Sequence, residues 1–125
     1  MIIGQAGNDD IRGGSGDDEL RGGAGIDVIS GGNGDDIVYG QKGNDHLIGG
    51  GGADVIRGGA GVDLIEGKGG PDELRGGGGN DTLLGGNGID ELRGGNDADT
   101  FDGGNGDDEC VHKAEDISPT LGCER

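Results

Sequence analysis

Between Gly4 and Val111 an apolar residue returns at every ninth position: Ile11, Leu20, Ile29, Val38, Leu47, Ile56, Ile65, Leu74, Leu83, Leu92, Phe101 and Cys110. Twelve nine-residue units fit this stretch without an insertion. Counted from Gly4, position one is glycine in every unit, and position four is glycine in all but one, where Asp97 stands. Position six is aspartate in all twelve: Asp9, Asp18, Asp27, Asp36, Asp45, Asp54, Asp63, Asp72, Asp81, Asp90, Asp99 and Asp108. Positions seven to nine therefore read as a three-residue strand that points its middle side chain inward. Positions one to six read as a turn, in which glycines at one, two and four permit positive φ and close backbone approach.

A disordered glycine- and aspartate-rich linker would share this composition, but it would not hold aspartate and an apolar residue in fixed phase from Gly4 to Val111. Collagen needs glycine at every third residue, which is absent here, and the chain has only two prolines. The frame resembles the GGxGxDxUx repeat of the RTX family, the hemolysin-type calcium-binding repeats. The unit Gly13-Gly14-Ser15-Gly16-Asp17-Asp18-Glu19-Leu20-Arg21 is one such match, and the resemblance runs unbroken over 4–111.

That resemblance implies an all-β fold, a right-handed parallel β-roll (a β-solenoid) of short strands and glycine-rich calcium-binding turns. Two repeats make one coil, and coils stack about 4.8 Å apart as parallel strands. Odd and even repeats then form two facing sheets, with turns along both edges. Residues 1–3 read as a strand remnant or N-terminal cap, 4–111 as the twelve-repeat roll, and 112–125 as a C-terminal cap.

Charge sharpens this picture. The net charge is −17, apolar residues make up 28%, and there is one Phe, one Tyr and no Trp, so the chain is too poor in core to compact unaided. An acidic surface repels nucleic acid and anionic membrane faces. The opening Met1-Ile2-Ile3 is far too short for a membrane span or a signal-peptide core. Cations are the partners left. Stacking brings the position-six carboxylates of successive turns together, which is unfavourable without a counter-ion. Calcium takes about six to eight oxygen ligands and accepts both carboxylates and carbonyls. Zinc is disfavoured, because the two histidines and two cysteines lack ligand spacing.

The family resemblance also implies a ligand set. Each turn gives the carbonyls of positions two and four and its aspartate, and the turn two repeats later gives the carbonyls of positions one and three and its own aspartate. The first site is then Gln5, Gly7 and Asp9 with Gly22, Ala24 and Asp27. The next is Gly14, Gly16 and Asp18 with Gly31, Asn33 and Asp36. At the other end lie Gly77, Gly79 and Asp81 with Gly94, Asn96 and Asp99, and Gly86, Gly88 and Asp90 with Gly103, Asn105 and Asp108. Gln5, Gln41 and Lys68 depart from glycine at position two but still offer a carbonyl. Asp97 falls in the eleventh repeat, where position four would face a thirteenth repeat that does not exist, and aspartate tolerates left-handed φ. Five pairs of turns on each edge give ten full calcium sites at most.

The outward residues differ between the sheets. Arg21, Arg57, Arg75 and Arg93 form one row, with Glu19, Glu73 and Glu91 beside three of them, a charge-laced surface. On the other sheet Val28, Ile48, Leu64 and Leu84 point outward around His46 and Thr82, a candidate protein-contact face. Met1-Ile2-Ile3 fits positions seven to nine of a preceding repeat, as expected of a chain that begins inside a longer protein. Beyond Val111 the frame breaks, and Pro119 resists a strand. Cys110 and Cys123 are expected to form a disulfide that staples the cap, which suits an oxidising compartment.

No catalytic constellation is present. His46 and His112, and Ser15, Ser30 and Ser118, have no nucleophile context, and the pairs Asp17-Asp18, Asp35-Asp36 and Asp107-Asp108 belong to turns. The expectation is a secreted calcium-binding module rather than an enzyme. The alternatives are a spacer or adhesion rod, or the C-terminal fragment of a larger secreted RTX hydrolase, toxin or adhesin. An ice-binding solenoid would want an outward Thr ladder, and only Thr82 and Thr100 are suitably placed.

Overall fold

A side chain that turns inward once in nine residues can be buried only against its equivalents in neighbouring coils, so the strands stack. A computed structural model describes residues 1–111, 113 and 122–124. The chain is an all-β solenoid of about six turns, with no helix among the described residues. The strands are β1 (Ile2–Ala6), β2 (Asp10–Ser15), β3 (Glu19–Ala24), β4 (Val28–Asn33), β5 (Ile37–Lys42), β6 (His46–Gly51) and β7 (Val55–Ala60). They continue with β8 (Leu64–Gly69), β9 (Glu73–Gly78), β10 (Thr82–Asn87), β11 (Glu91–Asn96), β12 (Thr100–Asn105), β13 (Asp108–Val111) and β14 (Cys123–Glu124).

Odd-numbered strands, with β14 at the end, form an eight-stranded sheet, and the even-numbered β2 to β12 form a six-stranded one. All pairings are parallel, and from β1 to β13 the partners lie two repeats apart, as in Ile2↔Leu20 and Leu83↔Phe101. The turns of odd repeats therefore line one edge and those of even repeats the other. Ile11, Leu20, Ile29, Val38, Leu47, Ile56, Ile65, Leu74, Leu83, Leu92 and Phe101 are buried in a single file between the sheets. Cys110 and Cys123, partly buried, pack against this file.

Two local features differ from the sequence reading. Most strands run six residues rather than three, because positions one to three of the next repeat stay in the ladder, as Gly23↔Gln41 and Ala24↔Lys42 do. Position one also keeps an ordinary φ. Its glycines are required by space, since a side-chain carbon on Gly58 would run into Asp63 Oδ2 and the Gly76 carbonyl. Positive φ is confined to positions two and four in the repeats, and Gln5, Gln41, Lys68 and Asp97 are the non-glycine residues that adopt it. Asp97, at φ 73°, compensates chemically, because its Oδ2 accepts the Gly79 N–H at 3.1 Å. In other turns that N–H meets a position-three carbonyl, as in Gly7 to Ala24.

The charge-laced face appears as expected. Arg21 pairs with Glu19 and Arg93 with Glu91, while the guanidinium carbons of Arg21 and Arg57 lie 5.2 and 5.9 Å from the centre of the Tyr39 ring. On the opposite sheet Ile48, Leu64 and Leu84 are half-buried and Val28 is exposed, with an ion-paired His46–Glu66–Lys68 group among them. Met1-Ile2-Ile3 takes the register of positions seven to nine, and β1 runs on into the first repeat. Most of the cap expected over 112–125, including His112, Ser118 and Pro119, lies outside the described residues. A Cys110–Cys123 disulfide is present, with Cα atoms 5.6 Å apart.

Candidate metal centre

Each position-six aspartate sits where a strand begins, so the stacking that aligns the strands also stacks the carboxylates. The two oxygens of each carboxylate then face opposite ways. On the odd edge Asp27, Asp45, Asp63, Asp81 and Asp99 accept, at Oδ1, the backbone N–H of the aspartate two repeats earlier, at 2.8–2.9 Å. On the even edge Asp36, Asp54, Asp72, Asp90 and Asp108 do the same. Their Oδ2 atoms point the other way, toward position one of their own turn. Those of Asp9, Asp27, Asp36, Asp45, Asp54, Asp63, Asp72, Asp81, Asp90 and Asp108 are buried without a hydrogen-bond partner.

Beside these oxygens lie carbonyls of the next turn. A side-chain carbon on Gly40 would run into Asp45 Oδ2 and lie 2.7 Å from the Gly58 carbonyl oxygen. In the gap between the first two odd turns, Asp9 Oδ2 and the Gly22 carbonyl converge next to Gly4, and the Gln5 and Gly7 carbonyls face Gly23 and Gly25 above them. The remaining expected donors are engaged with N–H groups: the Ala24 carbonyl with Gly7 at 2.8 Å, and Asp27 Oδ1 with Asp9. The same arrangement joins Gly14, Gly16 and Asp18 to Gly31, with the Asn33 carbonyl on Gly16 N–H. It recurs where Gly86, Gly88 and Asp90 meet Gly103, with the Asn105 carbonyl on Gly88 N–H. Gly77 faces Gly95 and Asp81 faces Gly94, but above Gly79 the turn carries Asp97 in place of glycine, and Lys113 donates to the Asn96 side chain at 2.8 Å.

Among the described residues no three His, Cys, Asp or Glu side chains cluster closely enough to hold a metal by themselves. A site here therefore depends on backbone carbonyls. The donors are all hard oxygens, and a buried carboxylate oxygen without a partner is costly unless a cation or proton meets it. The residues fit calcium.

A second ladder was not foreseen. Position five carries Asn8, Asp17, Asp35, Asn44 and Asn80, and each side-chain oxygen accepts the N–H of the position-five residue two repeats further on, at 2.8–3.1 Å. The first members of the pairs Asp17-Asp18 and Asp35-Asp36 thus stitch turns together. The sequence signal was an Asn or Asp immediately before the invariant aspartate.

The electrostatics follow from stacking. Burial raises the pKa of Asp63 to about 6, against a backbone N–H that lowers it, and the Asp45 carboxylate adds to the rise. Burial likewise pushes Asp72 and Asp81 up to about 7, with repulsion from Asp54 and Asp90 and from Asp63, Asp99 and Asp97 respectively. Asp36, Asp45, Asp54 and Asp90 are raised by the same desolvation. The metal-free fold holds these protons more tightly than an unfolded chain, whose aspartates titrate near 3.8. The contribution of these carboxyl groups to the stability of the metal-free roll is therefore fully present below about pH 4 and is lost as the pH rises through about 6 to 7. Circular dichroism in calcium-free buffer is expected to show more β-structure at pH 5 than at pH 8. Identical spectra would contradict this.

A model of the RTX calcium-binding nonapeptide repeat (4 copies) matches residues 1–29, 12–47, 30–65, 39–74, 57–92 and 75–110, which together span the roll. No curated protein matches the chain, and neither does any solved structure.

Proposed function

Because the chain belongs to the family of RTX calcium-binding nonapeptide repeat proteins, and so binds calcium, we propose that it is a module that folds on binding several calcium ions outside the cell and has no catalytic role of its own. The observation that carries this reading is the double column of buried carboxylates, where Oδ2 atoms such as those of Asp45 and Asp63 meet position-one carbonyls and no hydrogen-bond donor. In this reading the ligands are the twelve position-six aspartates and the carbonyls of positions one to four, arranged as ten full sites.

Each site holds two carboxylates, and interior ones are shared between the gap above and the gap below. Low ligand charge per ion places the affinities toward the weak, extracellular end of the calcium range, about 10⁻⁴–10⁻³ M. Such sites are empty in a cytosol and fill outside it. The Cys110–Cys123 disulfide suits the same oxidising surroundings. No helix among the described residues is long and apolar enough to cross a membrane.

The test is calorimetric titration of the metal-free chain. Several calcium ions are expected to bind per chain with midpoints in that range, with magnesium far weaker because it resists dehydration and demands near-octahedral geometry. No binding at millimolar calcium, or equal binding of magnesium, would overturn the reading.

A further inference from the structure

The last turn of the even edge has no repeat above it, yet its gap is not left open. A side-chain carbon on Gly103 would lie 2.6 Å from the carbonyl oxygen of Gly122 and 2.7 Å from Asp108 Oδ2. In the interior the same construction on Gly76 and Gly58 meets the carbonyls of Gly94 and Gly76 at 2.5 and 2.8 Å. Gly122 therefore puts its carbonyl where the next turn's position-one carbonyl stands elsewhere. Gly122, at φ 70°, also sits over the backbone of Gly104, whose carbonyl oxygen and nitrogen both lie 2.6 Å from where a side-chain carbon on Gly122 would be.

The frame ends at Val111, so this placement owes nothing to the nine-residue period. It comes from the disulfide and from β14, which pairs with β13 as Asp108↔Cys123 and Glu109↔Glu124. That offset falls short of the two-repeat spacing kept throughout the roll. Cys123 occupies the level that the aspartate of a further turn would take. Asp108 is 1% exposed, and its Oδ2, facing this gap, has no hydrogen-bond partner. A buried carboxylate oxygen beside two carbonyls is a cation-binding arrangement.

We propose that the tail builds one more calcium site at this end, from Asp108 Oδ2 and the carbonyls of Gly104 and Gly122, held in place by the Cys110–Cys123 disulfide. The inference rests on the calcium reading above. It adds a site that pairing of turns does not count. Among the described residues one carboxylate serves it, a half-cystine standing in place of the second, so waters complete the shell and it fills after the interior sites.

Native mass spectrometry of the full chain at saturating calcium tests the count. The disulfide-bonded protein is expected to bind one more calcium ion than Cys123→Ser, with the calcium-loaded β spectrum of the variant retained. Equal counts would overturn the proposal. Should Cys123→Ser lose its β spectrum, the decision passes to the disulfide-bonded wild type, through the carbonyl ¹³C resonance of Gly122. That resonance is expected to move late in a calcium titration; one that stays fixed while Gly103 responds would overturn the proposal. A chain that binds no calcium in either form would instead sink the calcium reading itself.

Discussion

In chelator at neutral pH the chain is expected to lose nearly all of its β-sheet circular dichroism, and to regain it cooperatively when calcium is restored. The reason is what must be buried. The core is one file of eleven apolar side chains, and beside it run two columns of aspartates whose interior members are 0–3% exposed. Without metal each column repeats a carboxylate in every successive turn, with interior Oδ2 atoms such as those of Asp54 and Asp63 unpartnered. Such groups either take up protons or keep the chain open. As the pH rises through about 6 to 7, Asp63, Asp72 and Asp81 give up their protons and opening is favoured. Calcium supplies the missing charge and couples its binding energy to folding. Acid should restore part of the signal in chelator, as the raised pKa values of Asp63, Asp72 and Asp81 require. A full β spectrum in chelator at pH 8 would refute the coupling.

The second large effect is positional. Asp54 accepts the Asp36 N–H at Oδ1, donates its own N–H to Asp72, and turns Oδ2 toward the gap above. Replacing Asp54 with alanine removes a donor from two gaps and strands the buried Asp36 N–H, at a cost of about 1–3 kcal/mol for that group alone. The variant is expected to lose two calcium ions and to melt in two stages, since neighbouring coils stabilise each other only by contact. Asp9 begins its column. Its N–H donates to Asp27, and its Oδ2 faces a single gap. Asp9→Ala is expected to lose one calcium ion and fray one end, with a single melting transition. Calorimetric titration and thermal circular dichroism of both variants measure the difference. Equal losses in the two would rule out carboxylates shared between levels.

Much of this was legible in the sequence because a strict repeat turns one local deduction into twelve. The inward file from Ile11 to Phe101, the two sheets and the stacking of the aspartates all followed from phase, whereas the near-complete burial of the aspartates did not. Asp97 was legible too, as a residue able to adopt positive φ, although its hydrogen bond to Gly79 was not. Periodicity shows which residues are equivalent, but it does not show which backbone groups a glycine joins. By phase alone positions one to three belong to the turn, whereas their backbones stay in the ladder. The same limit hid the position-five side chains that stitch the turns, since an Asn or Asp beside the invariant aspartate reads as more turn chemistry. Val28, Ile48, Leu64 and Leu84 lie outside the inward file, as their positions imply, with Val28 exposed and the other three half-buried. Gly122 was beyond reach, because its position depends on a crosslink and belongs to no period.

The uniform two-repeat offset in every pairing from β1 to β13 has a further consequence. A strand displaced by one whole coil meets nearly the same neighbours: Leu20 would find Ile56 in place of Val38, with glycines and aspartates again aligned. Register is weakly specified in glycine-rich strands, so slipped alignments compete closely with the correct one. The molecule distinguishes them by its blemishes. Among the described residues, Tyr39 between two arginines, Lys68 beside Glu66 and Asp97 over Gly79 each occur once. The Cys110–Cys123 bond goes further and anchors one end covalently at a single alignment. In an array of near-identical units, these irregularities work as landmarks by which the chain finds its place.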